Sequence, residues 1–273
     1  MDWDYNEIKL QGNLSEIIDC IWWENYSDVH PKNNQHKLIP DHTIELIFTN
    51  YDIKRFLPLT EEYKIRKSQL AGLRTVPQIC TIVKSPIISI RFIPKTFYRL
   101  CKTEIGRTIN NNLDPRECFG ESILDLEKDI FKTTSQKDRI HLIESYFNKY
   151  LNSQCNNSDE DFEKFVIHIE TNKGNCKISD FPKLFNTSAS TIERKFKKHL
   201  GLTPKKYSML VRFSNQFLSR VKAFSALSFN DGFNYYDQAH FIKEMSKFSG
   251  LTPKQLTSID IGIQQAYFRN NSN

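Results

Sequence analysis

The first part of the chain mixes strand-like and helix-like patterns of apolar residues. Two runs rich in β-branched residues, Ile44–Phe48 and Ile87–Ile93, are bounded by clusters of Pro, Asn and Asp, which is typical of strands. Between Ile140 and Leu151, apolar residues recur at i, i+3, i+7 and i+11, which predicts a helix. The pattern therefore predicts a mixed, β-rich N-terminal domain over residues 1–155.

The polar segment Asn152–Asp159 separates this region from a second one, over 156–273, in which the apolar patterns are helical. The first helix of this region has one apolar face and ends near Gly174. The residues of that face are Phe162, Phe165, Val166 and Ile169.

Residues 178–200 have the pattern of a short helix, a turn and a second helix. Ser179 is the candidate N-cap of the first helix. The second helix begins at Ser188 or Ser190, since either hydroxyl can cap it, and Gly201 ends it.

A helical wheel of about 100° per residue divides this second helix into two faces. Ile192, Phe196 and Leu200 form the apolar face, with His199 beside them, and the opposite face is polar and mostly basic. A helix that reads DNA needs such a division, although a solvated surface helix can also have it. The candidate DNA-binding residues here are Ser190, Glu193, Arg194, Lys197 and Lys198.

A second unit of the same kind covers about 226–249, after a connecting helix predicted over 206–222. Phe241, Met245 and Phe248 share one face of its second helix. Both units end in the same residues, Gly-Leu-Thr-Pro-Lys, which suggests a duplication. The candidate DNA-binding residues of this unit are Gln238, Ala239, Ile242 and Lys243.

The C-terminal region resembles the arabinose-regulator (AraC/XylS) family of transcription factors over about 160–260. The residues that carry the resemblance are Ser188, Ile192, Arg194, Phe196, Lys197, Gly201, Leu202, Thr203, Pro204, Tyr207 and Arg212, and in the second unit Asp237, Gln238, Ala239, His240, Phe241, Gly250, Leu251, Thr252 and Pro253. Asn230 and Asn234 stand where the family has a small residue and a glycine.

The resemblance implies an α+β protein in which the β-rich N-terminal domain precedes an all-α domain with two helix-turn-helix units joined by a linker helix. It implies a bacterial transcription regulator that binds double-stranded DNA in successive major grooves. It also implies ligand sensing or dimerisation through residues 1–155. RNA polymerase, a small-molecule effector and a second copy of the chain are candidate further partners. Activation is the expected direction, although the residues themselves leave the sign of regulation open.

The distribution of charge agrees with a nucleic-acid-binding C-terminal region. Residues 161–260 hold 16 Lys and Arg against 9 Asp and Glu, whereas residues 1–160 hold 21 against 23. The surplus of the whole chain, +6, therefore comes from the C-terminal region.

Compartment, membrane and metal signals are weak. The start of the chain is acidic and the longest apolar stretch is interrupted by charges, so we expect a cytoplasmic protein with no signal peptide and no membrane span. The six cysteines are scattered and are interpreted as reduced core thiols.

His42 and Glu45 would face opposite sides of a strand, so no metal is expected. Trp22, Trp23 and Tyr26 fit core packing better than a ligand pocket.

Two other classes of function fit the sequence less well. An enzyme is disfavoured because the chain lacks the motifs of serine hydrolases, zinc peptidases, P-loop proteins and dinucleotide-binding enzymes, and no cofactor is expected. DNA-repair methyltransferases with a similar helix-turn-helix module carry a four-cysteine zinc site, which the spacing here does not provide. An interaction module whose basic face binds RNA or protein is the remaining alternative.

Overall fold

The structure is a computed structural model that describes residues 5–24, 35–57, 59–82, 86–153, 158–222, 243, 246–251 and 255. Its architecture is α+β, as predicted, with an antiparallel β-rich region followed by a helical region. The described strands, in chain order, are β1 (Tyr5–Ile8), β2 (Ile18–Glu24), β3 (Gln35–Leu38), β4 (Ile44–Thr49), β5 (Ile53–Leu57), β6 (Glu62–Arg66), β7 (Gln69–Ala71), β8 (Gln78–Ile82), β9 (Ile87–Phe92) and β10 (Asn112–Leu113).

These strands form two antiparallel sheets, in the orders β1-β2-β9-β4-β7-β10 and β3-β8-β5-β6. The two predicted strands are confirmed as β4 and β9, which lie side by side with Leu46 opposite Ile90. Both are buried throughout because one face covers the second sheet and the other covers helices.

Polar side chains on the inner face of the larger sheet are paired with each other. The Glu45 carboxylate accepts hydrogen bonds from Arg91 Nη2 at 2.7 Å and from Trp22 Nε1 at 3.0 Å. The carboxylate thereby compensates a buried guanidinium that would be costly if isolated. The core interpretation of Trp22 is confirmed, whereas Tyr26 lies outside the described residues.

The described helices, in chain order, are α1 (Pro94–Phe97), α2 (Pro115–Phe119), α3 (Ser122–Lys132), α4 (Gln136–Ser153), α5 (Glu160–Thr171), α6 (Phe181–Leu184), α7 (Ala189–Leu200) and α8 (Pro204–Lys222). The helix predicted between Ile140 and Leu151 is confirmed as the middle of α4. None of the helices in the described part of the chain is long and apolar enough to cross a membrane.

One hydrophobic core runs from the larger sheet into the helical region. It joins Phe92 of β9 and Phe97 of α1 to Phe162 of α5 and Phe196 of α7. The predicted helix with apolar residues 162, 165, 166 and 169 is confirmed as α5, and all four of these side chains are buried. The helices that hold the candidate site are therefore packed directly on the β-rich region, although the predicted division at residue 155 stays a prediction.

Candidate nucleic-acid interface

The first helix-turn-helix unit consists of α6, a tight turn and α7. The turn contains Asn186, whose φ of 47° lies in the left-handed region that asparagine tolerates better than most residues. The Ser188 hydroxyl accepts a hydrogen bond from the Thr191 backbone N–H at 3.1 Å, so Ser188, not Ser190, caps α7. Gly201 ends the helix as predicted, with a φ of 71°.

The prediction that Ser179 caps the first helix of the unit is wrong. Residues Ile178–Asp180 form a 3₁₀ turn that leads directly into α6, and Ser179 lies inside that turn. Its hydroxyl contacts the Asp180 carboxylate at 3.3 Å. Such 3₁₀ turns are frequent at the N-termini of α-helices, and here the N-cap position of α6 is occupied by Asp180.

The two predicted faces of α7 are confirmed. Ile192, Phe196 and Leu200 are buried, and the Phe196 ring meets the Phe162 ring of α5 edge to face with centroids 5.4 Å apart. The candidate residues of this unit are all exposed on the outer side of α7, namely Ser190, Glu193, Arg194, Lys197 and Lys198. The structure therefore brings these residues together on one accessible surface, which we call the outer face of α7.

A polar cluster that the sequence did not reveal fixes the inner side of α7. Asp159, the N-cap of α5, contacts Lys195 Nζ at 2.5 Å and His199 Nε2 at 3.0 Å. Although burial alone raises the pKa of Asp159, hydrogen bonds from Lys195, from the Phe162 backbone and from His199 hold that pKa below its usual range. The carboxylate therefore stays ionised and ties the last two turns of α7 to the start of α5.

The N-terminal region contacts the same end of α7 at two points. The Tyr98 ring lies 4.1 Å from the His199 ring, centroid to centroid, and the Tyr98 hydroxyl accepts a hydrogen bond from the Asp159 backbone N–H. Gly201 packs so closely against Gly106 that a Cβ on Gly201 would lie 2.6 Å from the Gly106 Cα. Both contacts leave the outer face of α7 exposed.

The buried His199 gives the fold a pH dependence that can be measured. Burial lowers its pKa more than the Asp159 carboxylate raises it, while Lys198 and Lys195 lower it further. Because the folded pKa lies below the unfolded value of 6.5, the unfolded chain binds this proton first, and stability falls as the pH drops through and below that value.

We therefore expect the urea midpoint of the wild type to fall more between about pH 7.5 and about pH 5.5 than that of His199→Gln, which cannot take up this proton. The difference between the two proteins isolates His199 from the other histidines. Equal losses in both proteins would show that His199 does not couple folding to protonation.

The connecting helix α8 begins at a second cap. The Thr203 hydroxyl accepts a hydrogen bond from the Lys206 backbone N–H at 3.2 Å, and the buried Tyr207 donates to the Glu170 carboxylate of α5 at 2.6 Å. The predicted connector is confirmed as α8. It is anchored to α5, which also carries Asp159.

The described part of the second unit is small. Lys243 is exposed and helical, and the buried Phe248 stacks on Phe213 of α8 with ring centroids 5.0 Å apart. Gln238, Ala239 and Ile242 lie outside the described residues. The role of this unit in DNA binding stays a prediction.

Comparisons with known proteins give one family match and several similar structures. Residues 6–114 match the model of a domain of unknown function (DUF6597). A search of curated proteins finds no match. ToxT from Vibrio cholerae, in its 1.65 Å structure, is 11% identical with a TM-score of 0.46, covering 84% of this chain and 98% of that chain. A second ToxT structure, with an unsaturated fatty acid bound, is 13% identical with a TM-score of 0.43, covering 82% and 93%.

Proposed function

We propose that this protein is a sequence-specific DNA-binding transcription regulator in which α7 enters the major groove and its outer face contacts bases and phosphates. The observation that carries the proposal is the division of α7. Its apolar side is buried against α5, and its basic side is exposed at the end of a helix-turn-helix.

The side chains of the outer face have complementary chemistry for a duplex. Arg194 offers the planar fork that binds guanine O6 and N7, and Ser190 lies one turn before it. The Glu193 carboxylate suits the amino group of cytosine. Lys197 and Lys198 are placed to neutralise phosphates, which position the protein without reading sequence.

A helix that reads base pairs, called here the reading helix, has to be held rigidly. The polar cluster around Asp159 holds α7 in this way. Lys195 and His199 are directed inward to Asp159, so these two side chains are engaged in holding α7 and are not part of the outer face. Base contacts that depend on fixed geometry benefit from such support.

Regulation through the N-terminal region is the second part of the proposal. We assign residues 156–273 to DNA binding through two helix-turn-helix units, and residues 1–155 to sensing of a small molecule or to dimerisation. The contacts of Tyr98 and Gly106 with the end of α7 give a physical route by which a change in the N-terminal region reaches the reading helix. RNA polymerase is the proposed partner if the protein is an activator.

The proposal is tested by selecting binding sites from a pool of random duplexes with the purified full chain. Enrichment of a shared motif, and preference for that duplex over a shuffled one, would support sequence-specific binding. Tighter binding to single-stranded RNA than to any duplex would favour the interaction module instead.

The outer-face lysines are expected to supply affinity that does not depend on sequence. Replacing Lys197 and Lys198 by alanine should weaken binding to selected and shuffled duplexes alike, and should reduce the slope of log K against log salt by about 2. The matched control replaces Lys128 and Lys132 by alanine. Both lysines are exposed on α3, so their replacement removes the same amount of charge. Equal slopes in the two double variants would contradict the phosphate-contacting role of Lys197 and Lys198.

A further inference from the structure

Cys101 and Cys118 lie on two stretches of chain that run side by side. The Lys102 backbone N–H donates to the Cys118 carbonyl oxygen at 3.1 Å. The Tyr150 hydroxyl contacts the carbonyl oxygens of Leu100 at 3.1 Å and of Cys118 at 3.3 Å. The backbone on either side of the two cysteines is therefore held together by three hydrogen-bond contacts.

Cys101 directly precedes Lys102, whose N–H binds the Cys118 carbonyl, and both cysteine side chains pack in the same hydrophobic core. Cys118 is fully buried inside α2, whereas Cys101 is partly exposed. A partly exposed thiol next to a second thiol is the arrangement found in redox-sensing cysteine pairs.

The other described cysteines have different surroundings. Cys20 contacts the Arg91 guanidinium at 3.5 Å, and Cys176 faces the Ser208 hydroxyl at 3.8 Å. Burial raises the pKa of the Cys20 thiol to about 12 and also raises that of Cys80, so both stay protonated. The neighbouring Cys118 thiol instead lowers the pKa of Cys101, which favours its reactive thiolate.

We propose that Cys101 and Cys118 are a redox-active pair that hydroperoxides convert reversibly into a disulfide. The Cys101 thiolate attacks one oxygen of hydrogen peroxide and becomes a sulfenic acid. The O–O bond breaks, and the other oxygen departs as hydroxide, which is protonated to water. The Cys118 sulfur then attacks the Cys101 sulfur, and the sulfenic hydroxyl leaves as a second water with the Cys118 proton. Two thiols lose two protons and two electrons, and one peroxide is reduced to two waters.

The position of the pair connects this chemistry to the reading helix. Residue 101 lies between Tyr98 and Gly106, two residues of the N-terminal region that contact the C-terminal end of α7. A bond from Cys101 to Cys118 fixes this segment more tightly to α2. We expect the disulfide to change the affinity for DNA, and this consequence rests on the proposed function.

The chemistry is tested on the reduced full chain with hydrogen peroxide. We expect the thiols titrated after denaturation to fall by two from the six in the sequence, with a peptide map that links residues 101 and 118. In the Cys118→Ser variant the reaction should stop at a sulfenic acid on Cys101, which dimedone traps. The control variant Cys176→Ser should lose two thiols like the wild type. A disulfide between other cysteines, or a Cys101→Ser variant that still loses two thiols, would overturn the assignment.

The regulatory consequence is tested with the selected duplex. Oxidation should change its affinity by about fivefold or more, dithiothreitol should reverse the change, and Cys101→Ser should not show it. A disulfide that forms between residues 101 and 118 without any change in affinity would overturn the regulatory part. A reduced protein that binds no duplex would contradict the proposed function, while the thiol count would still decide the chemistry.

Discussion

Replacing Gly174 by alanine is expected to lower the free energy of unfolding by about 3 kcal/mol or more. Gly174 has a φ of 74°, and an added Cβ would lie 2.3 Å from the Ser208 carbonyl oxygen and 2.6 Å from the Arg212 backbone nitrogen. Both atoms belong to the backbone of α8, so no side chain can rotate away. The substitution has to push α8 away from the end of α5 and thereby disturb the frame that holds α7.

Gly12→Ala is the matched control for the conformational part of this cost. Gly12 has a φ of 67°, but an added Cβ would meet nothing within 4 Å. Its substitution should cost only about 1–2 kcal/mol, the strain of the left-handed conformation alone. Urea unfolding of both variants gives the comparison, and equal losses of stability would contradict the close approach of α5 and α8.

Replacing Arg194 by alanine is expected to cost about 1–3 kcal/mol of binding free energy on the selected duplex and to relax the preference at one base pair. The side chain is exposed on the outer face of α7, opposite the buried Ile192 and Phe196. A guanidinium in a major groove can form two parallel hydrogen bonds to one guanine, and alanine forms neither.

Lys198→Ala is the control for the alternative in which Arg194 binds only phosphate. It should weaken the selected and shuffled duplexes by the same factor, because a phosphate contact carries no sequence information. Competition binding with duplexes that differ at single base pairs separates the two roles. If Arg194→Ala weakened binding to every duplex by the same factor, as Lys198→Ala does, Arg194 would contact only DNA phosphates.

The faces of α7 were predictable because they depend on short-range periodicity. Ile192, Phe196 and Leu200 repeat every four residues, and Gly201 is the usual residue for a left-handed helix end, so local rules were sufficient. The start of α7 was ambiguous because Ser188 and Ser190 both fit the capping pattern, and only the folded backbone distinguishes them.

The cluster around Asp159 was not predictable because its members are distant in sequence. Asp159 lies 36 residues from Lys195, 40 from His199 and 61 from Tyr98, and no local pattern relates them. The available signal was the position of His199 beside the apolar face of α7, since a polar side chain at a buried position requires a partner.

The two-sheet order was equally inaccessible from local patterns. The two-residue strand β10 is too short to show alternation, yet it pairs with β7 at the edge of the larger sheet. The ion pair between Glu45 and Arg91 joins strands 46 residues apart. Long-range pairings of this kind follow from the whole fold and not from propensity.

The most direct test of the central claim is the affinity of the full chain for its selected duplex and for a shuffled duplex of the same composition, measured across a salt series. We predict a preference of about a thousandfold or more for the selected duplex, together with a steep loss of affinity for both as salt increases. Equal affinities for the two duplexes at every salt concentration would contradict sequence-specific reading by α7.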